Sequence, residues 1–269
     1  MNKILNKVYG KYKKVKANVF HDFWFYSVPG LRNKKQLLKL KNIYQGKRCF
    51  IMGNGPSLLK GDLTLLKNEV TIASNAHFLI WDKIDYKPTF LTVEDRLVAE
   101  DRKDQLNTID GVTKIFPLDL AKFLKLDDNT LYVNFLRNYK GFPQFTESFQ
   151  DKVYWGGTVS FLNLQLAYYL GCSEIYLIGF DHEYKVVESI DEQNVITSDK
   201  DDVNHIHPEY FGKGYRWHDP NVDRMQEGYI KAKTYLEAKG IKIYNATIGG
   251  KLEVFQRVNY NSLFKNNQL

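Results

Sequence analysis

The chain has 269 residues, and 38 Lys and Arg against 31 Asp and Glu give a formal net charge of +7 at pH 7. Hydrophobic residues make up 43% and charged residues 26%, which is ordinary globular composition and excludes general disorder. We expect no transmembrane helix, because no apolar run reaches about 18 residues, and no secretory signal. Two cysteines, Cys49 and Cys172, without a CxxC motif exclude a disulfide scaffold and indicate a reducing, cytoplasmic setting.

Positive charge is concentrated at the N-terminal end of the chain. Residues 1–47 contain twelve basic residues and one acidic residue, Asp22, for a net charge of +11, so the other 222 residues carry 7 − 11 = −4. We therefore interpret residues 1–47 as a basic arm and residues 48–269 as the body of the protein. Because the high pI belongs to the arm, we expect no nucleic-acid partner for the body.

The arm has the pattern of an amphipathic helix followed by aromatic residues. Between residues 4 and 19 the apolar side chains fall in one sector of a helical wheel and the lysines fall opposite, and a second basic stretch runs from Arg32 to Lys41. This pattern predicts that residues 1–41 lie on an anionic membrane surface, which would make the protein peripheral on the inner face of the membrane. The alternative is a helix that packs its apolar stripe on the body.

The body alternates predicted strands with predicted helices. The strands are Cys49–Met52, Val70–Ala73, Thr89–Val93, Val112–Phe116, Leu131–Phe135, Ile175–Ile178 and Ile241–Tyr244, and the clearest helices are Val159–Leu170 and Val222–Lys239. This order predicts an α/β fold with a Rossmann-like, mostly parallel sheet and helices on both faces. The polar stretch within about 185–220 is interpreted as a lid.

A glycine-rich turn directly follows the first strand of the body. Gly53, Asn54, Gly55 and Ser57 stand where a strand meets a helix, with Pro56 suited to the first helical position. Ligands of open α/β sheets bind at the carboxyl ends of strands, and glycines let the backbone approach phosphate closely. We interpret the turn as a nucleotide-binding site in which the Asn54 amide donates to phosphate or ribose; a tight turn without a ligand is the alternative.

Polar residues also end three other strands. Asn75 follows the second strand, Glu94 and Asp95 follow the third, and Asp181 follows the strand at residues 175–178. Because the carboxyl ends of parallel strands share one edge of a sheet, these residues predict a single cleft. Asp181 is expected to accept a hydrogen bond from a sugar or nucleoside hydroxyl.

Two further segments carry candidate functional residues. Gly157 and Thr158 open the helix at Val159, either as a simple N-cap or as a binding site for an anionic sugar group. His218 follows an aromatic, glycine-bearing loop and is a candidate general base. His182 is its alternative.

Together these segments resemble a known superfamily. The turn at residues 53–57, Ser74-Asn75, the Gly-Gly-Thr helix start and residues 174–181 are similar to bacterial lipooligosaccharide sialyltransferases, to motility accessory factors and to MptE-like (6-hydroxymethylpterin diphosphokinase-like) proteins. The resemblance covers about residues 48–247 and implies a sialyltransferase-like variant of the GT-A fold. It does not distinguish among the activities of the superfamily.

The sialyltransferase branch implies specific roles for these residues. Its members use CMP-sialic acid and invert without a metal, which would place Asn54, Ser57 and Asn75 on the nucleotide. Tyr215 and His218 match a Tyr-x-x-His lid motif, in which the histidine is the base and the tyrosine contacts the donor phosphate. The arginine that precedes the small-residue helix start in those enzymes is replaced here by Tyr154-Trp155, so Thr158 would carry more of the carboxylate recognition.

Three functions follow from the resemblance. The first is a glycosyltransferase that takes a nucleotide-sugar donor, CMP-linked, and a glycan or glycolipid acceptor for surface glycan synthesis, without cofactor or metal. The second is a diphosphokinase that uses ATP and Mg²⁺, with Glu94, Asp95 and Asp181 as candidate ligands. The third is a non-catalytic nucleotide- or glycan-binding protein. An oligomer is possible under each of the three.

Overall fold

The structure, a computed structural model, describes residues 23–184, 195–218 and 220–267. The amphipathic helix predicted within residues 4–19 and the lid residues 185–194 and 219 lie outside these ranges. No helix within them is long and apolar enough to cross a membrane.

A parallel sheet forms the centre of the described residues. The strands are β1 (Arg48–Met52), β2 (Val70–Ser74), β3 (Phe90–Thr92), β4 (Thr113–Pro117), β5 (Thr130–Val133), β6 (Phe135–Leu136), β7 (Val153–Tyr154), β8 (Glu174–Ile178), β9 (Val195–Thr197), β10 (Arg216–His218), β11 (Lys242–Asn245) and β12 (Gln256–Arg257). Eight of them make one sheet in the order β12-β11-β8-β1-β2-β3-β4-β5, in which every pair is parallel. The predicted Rossmann-like sheet is confirmed.

Short strands outside the main sheet were not predicted. β6 pairs with β7 in parallel, and β9 pairs with β10 in antiparallel fashion, with Trp217 opposite Ile196. The β9–β10 pair lies in the segment at about 185–220 that the sequence analysis interpreted as a lid. His218 therefore ends a strand.

Helices connect the strands and cover both faces of the sheet. The α-helices are α1 (Val28–Leu40), α2 (Trp81–Ile84), α3 (Arg96–Asp101), α4 (Lys103–Leu106), α5 (Val159–Tyr169) and α6 (Val222–Ala238), and 3-10 helices span Pro56–Lys60, Leu63–Leu66, Asn75–Ile80, Leu118–Leu120 and Tyr260–Asn267. α5 and α6 confirm the two clearest helix predictions. The predicted helix after the glycine-rich turn is a single 3-10 segment of five residues.

Alternating residues of β1 divide the core into two layers. Cys49 and Ile51 pack with the layer that holds α1, α5 and α6, while Phe50 and Met52 pack with the layer that holds the short helices. This alternation follows from the two-residue repeat of a strand, and full burial on both faces explains why the strand is almost entirely apolar.

Residues 24–47 correct the predicted boundary at residue 47. Helix α1 begins at the N-cap Ser27 and packs on the edge strand β5, with Leu37 only 1% exposed. Asn33 donates to the Tyr132 carbonyl at 2.8 Å and accepts from the Tyr132 N–H at 2.7 Å. The second half of the predicted arm is thus part of the folded body, because its apolar stripe and one amide complete the open edge of the sheet.

Candidate functional site

A single large cleft lies at the carboxyl ends of the central strands. Its volume is about 1360 Å³, and its walls include the segments that follow β1, β2, β3 and β8. The strand order reverses between β1 and β8, so the cleft occupies the topological switch point at which open α/β sheets bind ligands. The predicted common cleft is therefore present in the structure.

The glycine-rich turn forms the floor of the cleft between β1 and β8. Gly53 N–H donates to the Ile178 carbonyl at 2.7 Å, and Gly55 N–H donates to the Gly179 carbonyl at 3.0 Å. A Cβ on Gly53 would meet the Gly179 carbonyl, and a Cβ on Gly55 would overlap the Asp181 carboxylate. Glycine is needed at both positions because two strand ends approach each other closely here.

Asn54 and Asn75 leave free hydrogen-bond acceptors at the cleft. The Asn54 Nδ2 donates to the carbonyl and the hydroxyl of Ser74, both at 3.2 Å, so this amide is engaged within the protein. Its Oδ1 and the Oδ1 of Asn75 are buried and have no hydrogen-bond partner among the described residues. Asn75 adopts the left-handed conformation, with φ of 55°. Buried acceptors without a donor are costly, so this pair suits a ligand that offers hydroxyl or amino groups.

Ser57 is not brought to the cleft, whereas Asp181 is. Ser57 is 2% exposed, and both its backbone N–H and its hydroxyl donate to Asp181 Oδ2, at 3.1 and 2.7 Å. The carboxylate of Asp181 lies in the cleft wall. Ser57 thus orients Asp181 and does not line the cleft as predicted.

His218 is hydrogen-bonded to Asp95 in the wall of the cleft. The His218 Nδ1 lies 3.0 Å from Asp95 Oδ2, while Asp95 Oδ1 accepts from the Leu97 N–H at 2.6 Å and caps α3. The hydrogen bond to Asp95 raises the pKa of His218 above its ordinary value, and partial burial opposes this shift. A carboxylate that holds one ring nitrogen leaves the other nitrogen to exchange a proton with a bound substrate.

A buried carboxylate and an arginine lie beside this pair. Arg137 donates to Glu94 Oε2 at 3.0 Å and to the Glu94 carbonyl at 2.7 Å, and it also contacts Asp119 at 2.7 Å. Burial raises the pKa of Glu94, while the Arg137 charge opposes that shift. Arg137 directly follows the two-residue strand β6, which was not predicted, so nothing in the sequence singled it out.

The carboxylates predicted as Mg²⁺ ligands do not converge. Glu94 is engaged by Arg137, Asp95 by His218, and Asp181 by Ser57. Within the described residues, no group of three or more His, Cys, Asp or Glu is arranged to hold a metal ion. The three carboxylates are therefore held by separate partners within the protein.

Thr158 and a residue that the sequence analysis missed form the far end of the cleft. Thr158 is the N-cap of α5 and accepts from the Ser160 N–H at 3.4 Å. Gly157, with φ of 89°, lies against Arg224, whose guanidinium stands 5.4 Å from the Trp155 ring centre. The first turn of α6 therefore brings a cation, Arg224, to this end of the cleft.

Comparison with known proteins identifies the family. Residues 27–187, more than half of the chain, match the family described as 6-hydroxymethylpterin diphosphokinase MptE-like. The chain belongs to this family. The match confirms the superfamily resemblance stated from the sequence. No curated protein matches the chain.

Two solved structures are similar to this MptE-like chain at low identity. One is the MAf glycosyltransferase from Magnetospirillum magneticum AMB-1, with 14% identity and a TM-score of 0.49, covering 86% of this chain and 38% of that chain. The other is the sialyltransferase CstII from Campylobacter jejuni in complex with a substrate analogue, cytidine-5'-monophosphate, with 17% identity and a TM-score of 0.43, covering 81% of this chain and 86% of that chain. The chain therefore spans well under half the length of the first.

The MptE-like match ends at residue 187, so it includes His182 and leaves out Tyr215 and most of the lid. Tyr215 is not brought to the cleft, because its ring packs under the Arg102 guanidinium at 4.0 Å. His182 does line the cleft, and burial lowers its pKa. The lid contacts the glycine-rich turn directly, since Ile206 N–H donates to the Asn54 carbonyl at 2.8 Å.

Proposed function

We propose that the protein is a metal-independent glycosyltransferase that transfers a sugar from a CMP-linked donor to a glycan or glycolipid hydroxyl. The observation that carries this proposal is the His218–Asp95 pair, which shares one cleft with the free acceptors of Asn54 and Asn75. One wall suits a nucleoside, which offers hydroxyl and amino donors, and the other holds a base.

The proposed reaction is a single inverting displacement. The His218 Nε2 takes the proton of the acceptor hydroxyl while the hydroxyl oxygen forms the new bond to the sugar. At the same time the bond between the sugar and the phosphate oxygen breaks. The electron pair leaves with the phosphate of CMP. Asp95 stabilises the imidazolium that forms, and the Arg224 cation offsets the charge that develops on the phosphate. Tyr215 has no part in this scheme, because it lies off the cleft.

A diphosphokinase is the second candidate, because the family that matches bears that description. Such an enzyme would bind ATP with Mg²⁺ in the same cleft. The engagement of Glu94, Asp95 and Asp181 by an arginine, a histidine and a serine, respectively, favours the transferase.

Release of CMP from CMP-N-acetylneuraminate in EDTA tests the proposal. We expect the wild type to release CMP, and His218→Ala to lower turnover about 10²–10⁴-fold with nearly unchanged CMP affinity, since it removes only the base. His207→Ala is the matched control, because His207 does not line the cleft. Absence of CMP release by the wild type, or equal turnover in the His218 variant, would contradict the proposal.

A further inference from the structure

Helix α1 presents two faces in different environments. Gly30, Asn33 and Leu37 are buried on the side that meets the sheet. At about 100° per residue, the exposed residues centre on the opposite side of the helix. We call this side the outer face of α1, and it consists of Val28, Leu31, Arg32, Lys35, Leu38 and Lys39.

The outer face is positively charged without compensation. Residues 23–47 contain no acidic residue, and their basic residues are Arg32, Lys34, Lys35, Lys39, Lys41 and Lys47. Lys34 points to the side and pairs with Asp151 at 2.7 Å. No ion pair links the three cations of the outer face to any residue in the described ranges. The outer face therefore attracts anions on its solvent-exposed side.

Large apolar side chains stand between these cations. Val28, Leu31 and Leu38 are 71%, 55% and 48% exposed, and Phe23 and Tyr26, just before the helix, are 72% and 83% exposed. Five exposed large apolar side chains on and just before one helix favour an interaction surface over isolated exposure. The alternation of apolar and cationic side chains matches the boundary between lipid chains and headgroups, where lysine and arginine stems extend along apolar surface and their charges reach phosphate.

We infer that the outer face of α1, with Phe23 and Tyr26, docks on an anionic phospholipid surface. Charge complementarity selects this occupant, because a second copy of the same face would bring like charges together. The apolar residues enter the headgroup region while Arg32, Lys35 and Lys39 meet lipid phosphates. The buried stripe of α1 stays on the sheet, so docking requires no unfolding of the helix. The inference is independent of the proposed transferase activity.

Vesicle sedimentation with the full chain tests this inference. Phosphatidylcholine vesicles with and without 30% phosphatidylserine are compared for the wild type and for Arg32→Gln/Lys35→Gln/Lys39→Gln. Each cation near an anionic membrane raises affinity about five-fold, so we expect the triple variant to bind the anionic vesicles about 100-fold more weakly. Wild-type binding should also fall as salt rises.

Two matched controls separate the outer face from general charge. Lys83→Gln/Lys103→Gln/Lys231→Gln makes the same change in net charge at exposed lysines outside α1, and Lys34→Gln/Asp151→Asn removes the lateral ion pair without changing net charge. Both control variants should bind the anionic vesicles like the wild type. The circular dichroism spectrum should be unchanged in every variant. Equal losses in the two triple variants, unchanged binding by the α1 variant, or no wild-type preference for anionic vesicles would overturn the inference.

Discussion

At the scale of single residues, the sequence predicted the side chains that follow strands and missed those that arrive from elsewhere. Asn54, Asn75 and Asp181 reach the cleft because each directly follows a parallel strand. The partner of His218 is Asp95, 123 residues away, and no local pattern encodes such a pairing. Arg224 escaped notice because it lies on the first turn of a helix that the sequence analysis read only for periodicity.

The His218–Asp95 pair makes a prediction about pH. The hydrogen bond to Asp95 raises the pKa of His218, so the neutral base is lost as pH falls at a higher pH than for an isolated histidine. Asp95→Asn removes the charge and keeps an oxygen to cap α3. We expect the acid limb of the turnover profile to move to lower pH, with reduced turnover on the plateau. An acid limb that stays in place would show that His218 does not set it.

At the scale of elements, long apolar segments were predictable and polar or very short ones were not. α5 was predicted because Thr158 caps an almost wholly buried helix and Gly171, with φ of 84°, follows its end. β9 and β10 were missed because they are short strands in a largely polar segment, which gives no strand pattern in the sequence. α1 was assigned to the arm because its cations continue the positive charge of residues 1–22, whereas three buried residues decide where it packs.

The α1–β5 contact makes a prediction about stability. Asn33 satisfies both backbone groups of Tyr132 in a buried setting, so Asn33→Leu leaves a buried N–H and a buried carbonyl unpaired. We expect the free energy of unfolding to fall by about 2–4 kcal/mol in urea titration. Gln36→Leu, on the exposed side of the same helix, should change it by less than about 0.5 kcal/mol. Equal effects of the two substitutions would refute the role assigned to Asn33.

At the scale of the whole molecule, the alternation of strands and helices sufficed to predict a parallel sheet, but it did not give the strand order. The order matters because the chain crosses back from β5 to place β8 beside β1, and this crossover creates the cleft. Gly53 and Gly179 meet there, so the conformation of the glycine-rich turn depends on the end of β8 as well as on its own sequence. The family match supports the fold, but it does not distinguish a cytidine nucleotide from ATP as the ligand.

The central claim is that this cleft binds a cytidine nucleotide without metal. Isothermal titration of the wild type with CMP in EDTA, beside ATP with Mg²⁺, tests it most directly. We predict that the wild type binds CMP independently of metal. Asn54→Ala and Asn75→Gly should each weaken CMP binding about five- to ten-fold, and glycine is chosen at position 75 because it keeps the positive φ. Gln36→Leu should leave CMP binding unchanged. Binding of ATP only with Mg²⁺, and of CMP not at all, would contradict the account.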